Sequence, residues 1–82
     1  MNREDIKRAV GEAIAKFAPE ADLSVLPENA VIREELDLDS MDFLNFLIAV
    51  AQATGIEIPE ADYHLVRTYA TCRDYLERHA AP

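Results

Sequence analysis

The chain has 82 residues, 50% of them hydrophobic and 29% charged, which suits one small globular domain expected to span residues 1–82. Its net charge of −8 excludes nucleic acid as a partner and favours basic proteins. A single cysteine excludes an internal disulfide and indicates a reducing cytoplasm.

Charge is concentrated in the middle of the chain. Residues 20–62 contain eleven acidic residues and one base, Arg33, whereas each flanking segment carries a net charge of +1. Such acidic runs are most often solvated faces. The stretch from 43 to 56 is uncharged, but its fourteen residues fall short of the roughly 20 that span a bilayer. It therefore predicts a buried helix and no membrane insertion, and the charged N-terminus predicts no targeting segment.

The first predicted helix covers residues 3 to 17. Its apolar residues recur at spacings of four, four and three, forming the stripe Ile6, Val10, Ile14 and Phe17. Asn2 is the expected N-cap, with Asp5 three residues later, and Pro19 ends the pattern.

Residues 20 to 38 show no regular period. Apolar residues recur irregularly among Pro27, Asn29 and several acids, and no hairpin signal favours a strand. We predict a long loop held to the core by apolar anchors, because ordered loops of this length tend to be functional.

The second predicted helix covers residues 40 to 54, capped by Asp39 and ended by Gly55. Its expected inward stripe is Met41, Leu44, Leu47, Ile48 and Ala51. Phe43 and Phe46 lie on a neighbouring face at three-residue spacing, which leaves two alternatives. Either both rings pack as core under the long loop, or at least one is exposed and anchors a partner.

Pro59 precedes a predicted helical turn from Glu60 to His64, and Thr68 is the expected cap of a last helix. In that helix Tyr69, Cys72 and Leu76 are expected to face inward, with Tyr75 beside them. The predicted fold is therefore all-α: a small four-helix bundle of three main helices and a short one, with a long loop between the first two.

Signatures of catalysis and metal binding are missing. Ser40 lacks the G-x-S-x-G turn, and nothing pairs it with His64 or His79, which are expected at the surface or at helix ends. Asp37, Asp39 and Asp42 resemble a calcium loop only in part, because the required glycine and the bidentate glutamate are missing. Cys72 is expected in the core. No catalytic residue, metal site or enzyme activity is predicted.

Ser40 is the strongest candidate for a functional residue. The plain alternative is that Asp39 and Ser40 only open a helix. The functional alternative is that another enzyme modifies this hydroxyl, since a phosphate there would meet unpaired backbone N–H groups and the positive end of the helix dipole.

Motifs along nearly the whole chain resemble the acyl carrier protein family. They are Glu35-Leu36, then Asp39-Ser40-Met41-Asp42 followed by Leu44 and Leu47, then Ile56-Glu57-Ile58-Pro59, and finally Asp74-Tyr75-Leu76. Together with the uncharged second helix and the chain length, these motifs make the resemblance strong.

The resemblance implies that Ser40 bears 4′-phosphopantetheine, transferred from coenzyme A by a separate magnesium-dependent phosphopantetheinyl transferase. The arm would carry acyl intermediates as thioesters to loading, acyl-transfer or condensing enzymes of fatty-acid, lipid or secondary-metabolite biosynthesis. The carrier would be a cytoplasmic monomer and would catalyse nothing. Partner contacts are expected at Asp37, Asp39, Met41, Asp42, Phe43 and Asn45. Leu47, Ile48 and Val50 are the candidates for lining an acyl cavity.

Several positions depart from the family pattern. Asp37 stands where the family often has glycine, Met41 replaces the usual leucine, and the second helix has Asn45, Ala51, Gln52 and Ala53 in place of acids. These changes favour a specialised carrier, with peptidyl, aminoacyl or aryl cargo as alternatives. A different class, an acidic helical adaptor without a prosthetic group, also stays open.

Overall fold

The structure, a computed structural model, describes residues 1–80, and these form a helical bundle. In chain order the elements are α1 (Arg3–Phe17), α2 (Ile32–Glu35), α3 (Ser40–Thr54), a 3₁₀ helix (Glu60–Val66) and α4 (Tyr69–His79). The predicted all-α bundle, with a long connection between its first two long helices, is confirmed.

Each long helix begins with a reciprocal capping box, in which the cap accepts from a backbone N–H three residues on and that residue's side chain accepts in return. The pairs are Asn2 with Asp5, Asp39 with Asp42, and Thr68 with Thr71. At the other end of α3, Gly55 adopts the left-handed conformation at φ +73°. The three predicted caps and the predicted bounds of α1 and α3 are therefore confirmed.

The connection between α1 and α3 contains one turn of helix, α2, so the prediction of a helix-free loop over residues 20–38 is wrong there. Four residues are too few to show a helical period in the sequence. Ile32 and Leu38 are buried and anchor the segment, as the loop prediction required. Two backbone hydrogen bonds also tie this segment to the start of α4. Ile32 N–H donates to the Arg67 carbonyl and Tyr69 N–H donates to the Ala30 carbonyl, each with an N···O distance of 3.0 Å.

The short helix after Pro59 runs to Val66, two residues beyond the predicted end at His64. Val66 is fully buried, and this apolar contact holds the extra residues in place. In α4 the predicted inward residues Tyr69, Cys72 and Leu76 are buried, and Tyr75 is buried with them.

The orientation of α3 differs from the prediction. Met41 is 65% exposed and Ile48 is 46% exposed, so the predicted inward stripe is wrong at these two positions. The buried stripe is instead Phe43, Phe46, Leu47 and Val50, at i, i+3, i+4 and i+7. Because α3 carries apolar residues on every side, its sequence period does not select a face, and packing against α1 decides.

Phe46 is the centre of this packing and is fully buried. Its ring stacks with Phe43 at a centroid distance of 6.1 Å and meets Phe17 of α1 edge-on at 6.3 Å. Of the two alternatives, core packing of both rings is therefore confirmed. The hypothesis that Phe43 or Phe46 is an exposed partner anchor is wrong.

Candidate functional site

Ser40 is the first residue of α3 and is exposed to solvent. Its Oγ accepts a hydrogen bond from Nη2 of Arg33 over 3.3 Å, although the two residues are seven positions apart. A guanidinium thus lies directly against the hydroxyl that the sequence singles out.

A tight reversal between α2 and α3 brings Arg33 to Ser40. Asp37 adopts the left-handed conformation at φ +54°, and the next N–H, of Leu38, donates to the Arg33 carbonyl over 2.8 Å. The buried Leu38 side chain then fixes the turn against the core. The chain therefore folds back on itself just before α3 begins.

The three predicted acidic site residues surround this helix start but do different things. The Asp39 carboxylate accepts from Asp42 N–H over 2.8 Å, and Asp42 completes the capping box, so both serve the helix end. Asp37 forms the turn, and its side chain is exposed. Asp37 is thus the acid of this cluster that is not committed to capping.

Ser40 opens onto a groove of about 830 Å³ bounded by α2, the start of α3 and the 3₁₀ helix. Phe43, Leu44 and Tyr63 form part of its apolar wall. Three bases that the sequence analysis did not assign to the site also line it: Arg33, His64 and Arg67. Arg33 could have drawn attention as the single base in the acidic segment, but no local pattern indicates that it meets Ser40.

A second groove, of about 480 Å³, lies further along α3. The predicted cavity residues Leu47 and Ile48 line it, together with Ile58. Leu44 and Tyr63 line both grooves, so the two are neighbours. Val50 does not line either groove, because its side chain is fully buried in the core beneath α3.

The exposed face of α3 carries no charge beyond its first turn. The side chains on it follow helical spacing: Met41, Asn45, Ile48 and Gln52, called here the uncharged stripe. Met41 and Asn45 are exposed, as a contact with a partner requires, whereas the Phe43 ring is buried. Phe43 is therefore a wall of the Ser40 groove and not a surface contact.

The other candidate groups have structural roles. Burial raises the pKa of the Cys72 thiol to about 12, so it stays protonated at neutral pH and belongs to the core. The His79 ring is exposed at the end of α4 and stacks on Tyr75 at 4.1 Å. Within residues 1–80 no group of three or more His, Cys, Asp or Glu side chains is placed to hold a metal ion.

Curated relatives match the chain almost end to end. The acyl carrier protein of Rubrobacter xylanophilus is 32% identical over 79 residues, which covers 96% of both chains. That of Lactobacillus acidophilus is 28% identical over 79 residues, covering 96% of this chain and 98% of the relative. That of Thermosynechococcus vestitus is 27% identical over 81 residues, covering 99% of each.

No protein-family model matches the chain. Among the helices of residues 1–80, none combines the length and apolar character needed to cross a bilayer.

Proposed function

Because the chain belongs to the acyl carrier protein family, we propose that Ser40 is the attachment point of a 4′-phosphopantetheine arm. The observation that carries this proposal is the exposed Ser40 hydroxyl at the first position of α3, opening onto a groove of about 830 Å³. The chain then serves as a carrier of acyl groups, and residues 1–82 act as one carrier domain.

The residues around Ser40 fit the group. The N-terminus of α3 presents N–H groups and the positive end of its dipole to an anion on Oγ, and the Arg33 guanidinium lies 3.3 Å from that oxygen. The apolar wall at Phe43, Leu44 and Tyr63 suits the uncharged part of an arm. When attached, the arm supplies a terminal thiol that holds cargo as a thioester.

Attachment requires a separate phosphopantetheinyl transferase, with coenzyme A as donor and magnesium as its metal. The Ser40 oxygen forms a bond to the phosphorus that carries pantetheine, and the bond from that phosphorus to the adenosine bisphosphate half of coenzyme A breaks. The hydroxyl proton passes to a base of the transferase. This chain contributes the nucleophilic oxygen and no catalytic group, so it is a substrate of that reaction and not an enzyme.

The second groove supports a place for the cargo. Leu47 and Ile48 give it an apolar wall, and its volume of about 480 Å³ is in the range of small-ligand pockets. Because Leu44 and Tyr63 join it to the Ser40 groove, an arm anchored at Ser40 can reach it along the surface of α3.

Partner enzymes dock beside Ser40 in this proposal. Asp37 supplies an exposed charge at the helix start, and Met41 and Asn45 begin the uncharged stripe. Partners are the transferase and the loading, acyl-transfer or condensing enzymes of fatty-acid, lipid or secondary-metabolite synthesis, met by a monomer in the cytoplasm. The shortage of acids on α3 favours a dedicated pathway, in which peptidyl, aminoacyl or aryl cargo is the second candidate.

The proposal is tested by intact mass after incubation with coenzyme A, magnesium and a phosphopantetheinyl transferase of broad specificity. We expect the wild type to gain the mass of one phosphopantetheine and Ser40→Ala to gain none. Ser24→Ala is the matched control, because Ser24 is the other serine of the chain and lies exposed in the long loop. A gain in Ser40→Ala refutes the site, and no gain in the wild type favours an adaptor without a prosthetic group.

A further inference from the structure

We infer that Arg33 binds the phosphate of the arm and so fixes the direction in which the arm leaves Ser40. This inference rests on the proposed function, since it assumes modification of Ser40. It makes Arg33 a positioning residue of the carrier that neither the motif around the serine nor the family resemblance assigns.

The geometry already places the guanidinium where the phosphate has to lie. Nη2 of Arg33 is 3.3 Å from Ser40 Oγ in the unmodified chain. A phosphodiester on Oγ has two non-bridging oxygens that share one negative charge, and both lie close enough to Oγ for the same guanidinium to reach them. Arginine presents several N–H donors in a planar fork, which matches phosphate oxygens in pairs.

The charges around Ser40 favour a cation beside an added phosphate. Asp37, Asp39 and Asp42 lie within three residues of the serine, and a phosphodiester adds a further negative charge among them. Arg33 is the single base in residues 20–62. Across residues 1–80 the ion pairs involve Arg3, Arg8 and Arg73, so Arg33 forms no ion pair with a carboxylate in this part of the chain.

Two further basic residues line the groove. His64 and Arg67 line it with Arg33, on the 3₁₀ helix and just after it. The carboxylates of Glu34, Asp37 and Glu60 line the same groove, so the net charge of the lining does not select an anion, and the inference depends on the direct contact with Ser40. Arg33 is the member of the set in contact with Ser40 itself, so it is the one we assign to the phosphate.

A structural role explains Arg33 less well. The residue is exposed, and its bond to Ser40 joins two solvent-accessible side chains over 3.3 Å. Such a contact adds little to folding, because water replaces it readily. Loss of Arg33 should therefore leave the unmodified protein unchanged and alter the modified one.

The test compares unmodified and fully modified protein for the wild type, Arg33→Gln, Arg33→Lys and Arg78→Gln. Arg78→Gln is the matched control, because it removes the same charge from an exposed site on α4 outside the groove. Loading is driven to completion and checked by intact mass, so differences in transferase rate do not matter. The readouts are the ³¹P chemical shift of the phosphodiester and the change in melting temperature on modification.

We expect Arg33→Gln to displace the ³¹P resonance and to lower the melting temperature of the modified form alone, while Arg78→Gln does neither. Added NaCl should move the wild-type resonance toward that of Arg33→Gln, since salt weakens an exposed ion pair. The ³¹P shift of Arg33→Lys should lie between those of the wild type and Arg33→Gln, because lysine keeps the positive charge and lacks the planar fork of N–H donors.

Two results overturn the inference, and they are distinguishable. If every variant is loaded and the wild type and Arg33→Gln share one ³¹P shift at low salt, Arg33 does not hold the phosphate, although Ser40 is still the attachment site. If no variant gains mass, the proposed function fails and this inference fails with it.

Discussion

The Tyr75 hydroxyl donates a hydrogen bond to Oδ2 of Asp62 over 2.7 Å and thereby fastens α4 to the 3₁₀ helix that forms one side of the Ser40 groove. This bond, with added effects of burial and of the carboxylate charge, raises the pKa of Tyr75 to about 12. Burial raises the pKa of Cys72, one turn earlier in α4, to about 12 as well. Both groups are therefore held in their protonated forms by the folded state.

The first prediction is a loss of stability at alkaline pH. Both folded pKa values lie above the unfolded ones of 9.0 for Cys72 and 10.0 for Tyr75. A raised pKa contributes stability that is complete below the unfolded value and is lost as pH approaches the folded value. Urea unfolding should show a constant free energy up to about pH 9 and a steep fall toward pH 12.

The buried Cys72 accounts for most of this fall in our interpretation. A pKa moved from 9.0 to about 12 corresponds to roughly 4 kcal/mol of unfolding free energy at the alkaline end. Cys72→Ala should be less stable at neutral pH because of the cavity it leaves, but its stability should depend less on alkaline pH. Tyr75→Phe should reduce the remaining slope. Equal slopes in all three proteins would show that neither group governs the transition.

A second prediction concerns the turn at Asp37, whose φ of +54° is unfavourable for a residue with a β-carbon. Asp37→Gly should raise the unfolding free energy by about 1 kcal/mol relative to Asp37→Asn, which removes the same charge but keeps the β-carbon. Asp37→Val should lower it by at least about 1 kcal/mol, because branched residues tolerate this conformation poorly. Urea unfolding measures all three, and equal values for Gly, Asn and Val would refute strain at this turn.

Sequence reasoning succeeded where the structure depends on nearby residues. The caps Asn2, Asp39 and Thr68 and the stop at Gly55 act within one helical turn, and all are confirmed. The inward face of α3 depends on tertiary packing, because residues 43–56 carry no charge to mark the solvent side.

The Arg33–Ser40 contact could not be predicted for a related reason. It depends on a left-handed residue at Asp37, a position where an aspartate gives no clear turn signal, and on the anchoring of Leu38. The one-turn helix α2, which carries Arg33, is likewise too short for a period to reveal it. The serine was therefore visible in the sequence, and its cationic neighbour was not.

The third prediction tests the corrected orientation of α3. Phe46→Ala should lower the unfolding free energy by about 3–5 kcal/mol, because its ring is fully buried between Phe17 and Phe43. Met41→Ala, on the same helix but 65% exposed, should change it by less than about 0.5 kcal/mol. Thermal and urea unfolding followed by circular dichroism measure both. The reverse order would restore the orientation predicted from the sequence.

A fourth prediction concerns salt. Residues 20–62 contain eleven acids and one base, and of these acids Glu28 is the one in an ion pair within residues 1–80, with Arg73. The rest repel one another, and a Debye length of about 10 Å at 0.1 M salt screens much of this repulsion. The melting temperature should therefore rise by on the order of a few degrees when NaCl is increased from about 10 mM to about 0.2 M.

The matched variant for the salt experiment is Glu57→Gln with Glu60→Gln, at two exposed acids. Removing their charges should raise the melting temperature at low salt and flatten its salt dependence. The Debye length shortens roughly fourfold between about 10 mM and 0.2 M salt, so a melting temperature that stays level or falls over this range would mean that local contacts already compensate the acids.

The last prediction concerns the kind of surface that partner enzymes recognise. The uncharged stripe of Met41, Asn45, Ile48 and Gln52 occupies the exposed face of α3, and two of its four members are large apolar side chains. Burying such a side chain in an interface contributes about 1.5–3 kcal/mol, and apolar burial is insensitive to screening by salt. Transferase binding should therefore weaken about tenfold or more in Met41→Ala and in Ile48→Ala.

The charge contribution to docking is measured with Asp37→Asn, since Asp37 does not cap the helix and Asp42 does. Asp37→Asn should weaken binding less than either apolar variant, and mainly at low salt, because an exposed charge acts through a screened field. Affinities for the transferase would be compared at 50 mM and 0.5 M NaCl, on the order of a threefold change in Debye length, with folding checked by circular dichroism. If Asp37→Asn removes most of the affinity while both apolar variants bind normally, recognition is electrostatic, and the exposed methionine and isoleucine of α3 have no part in it.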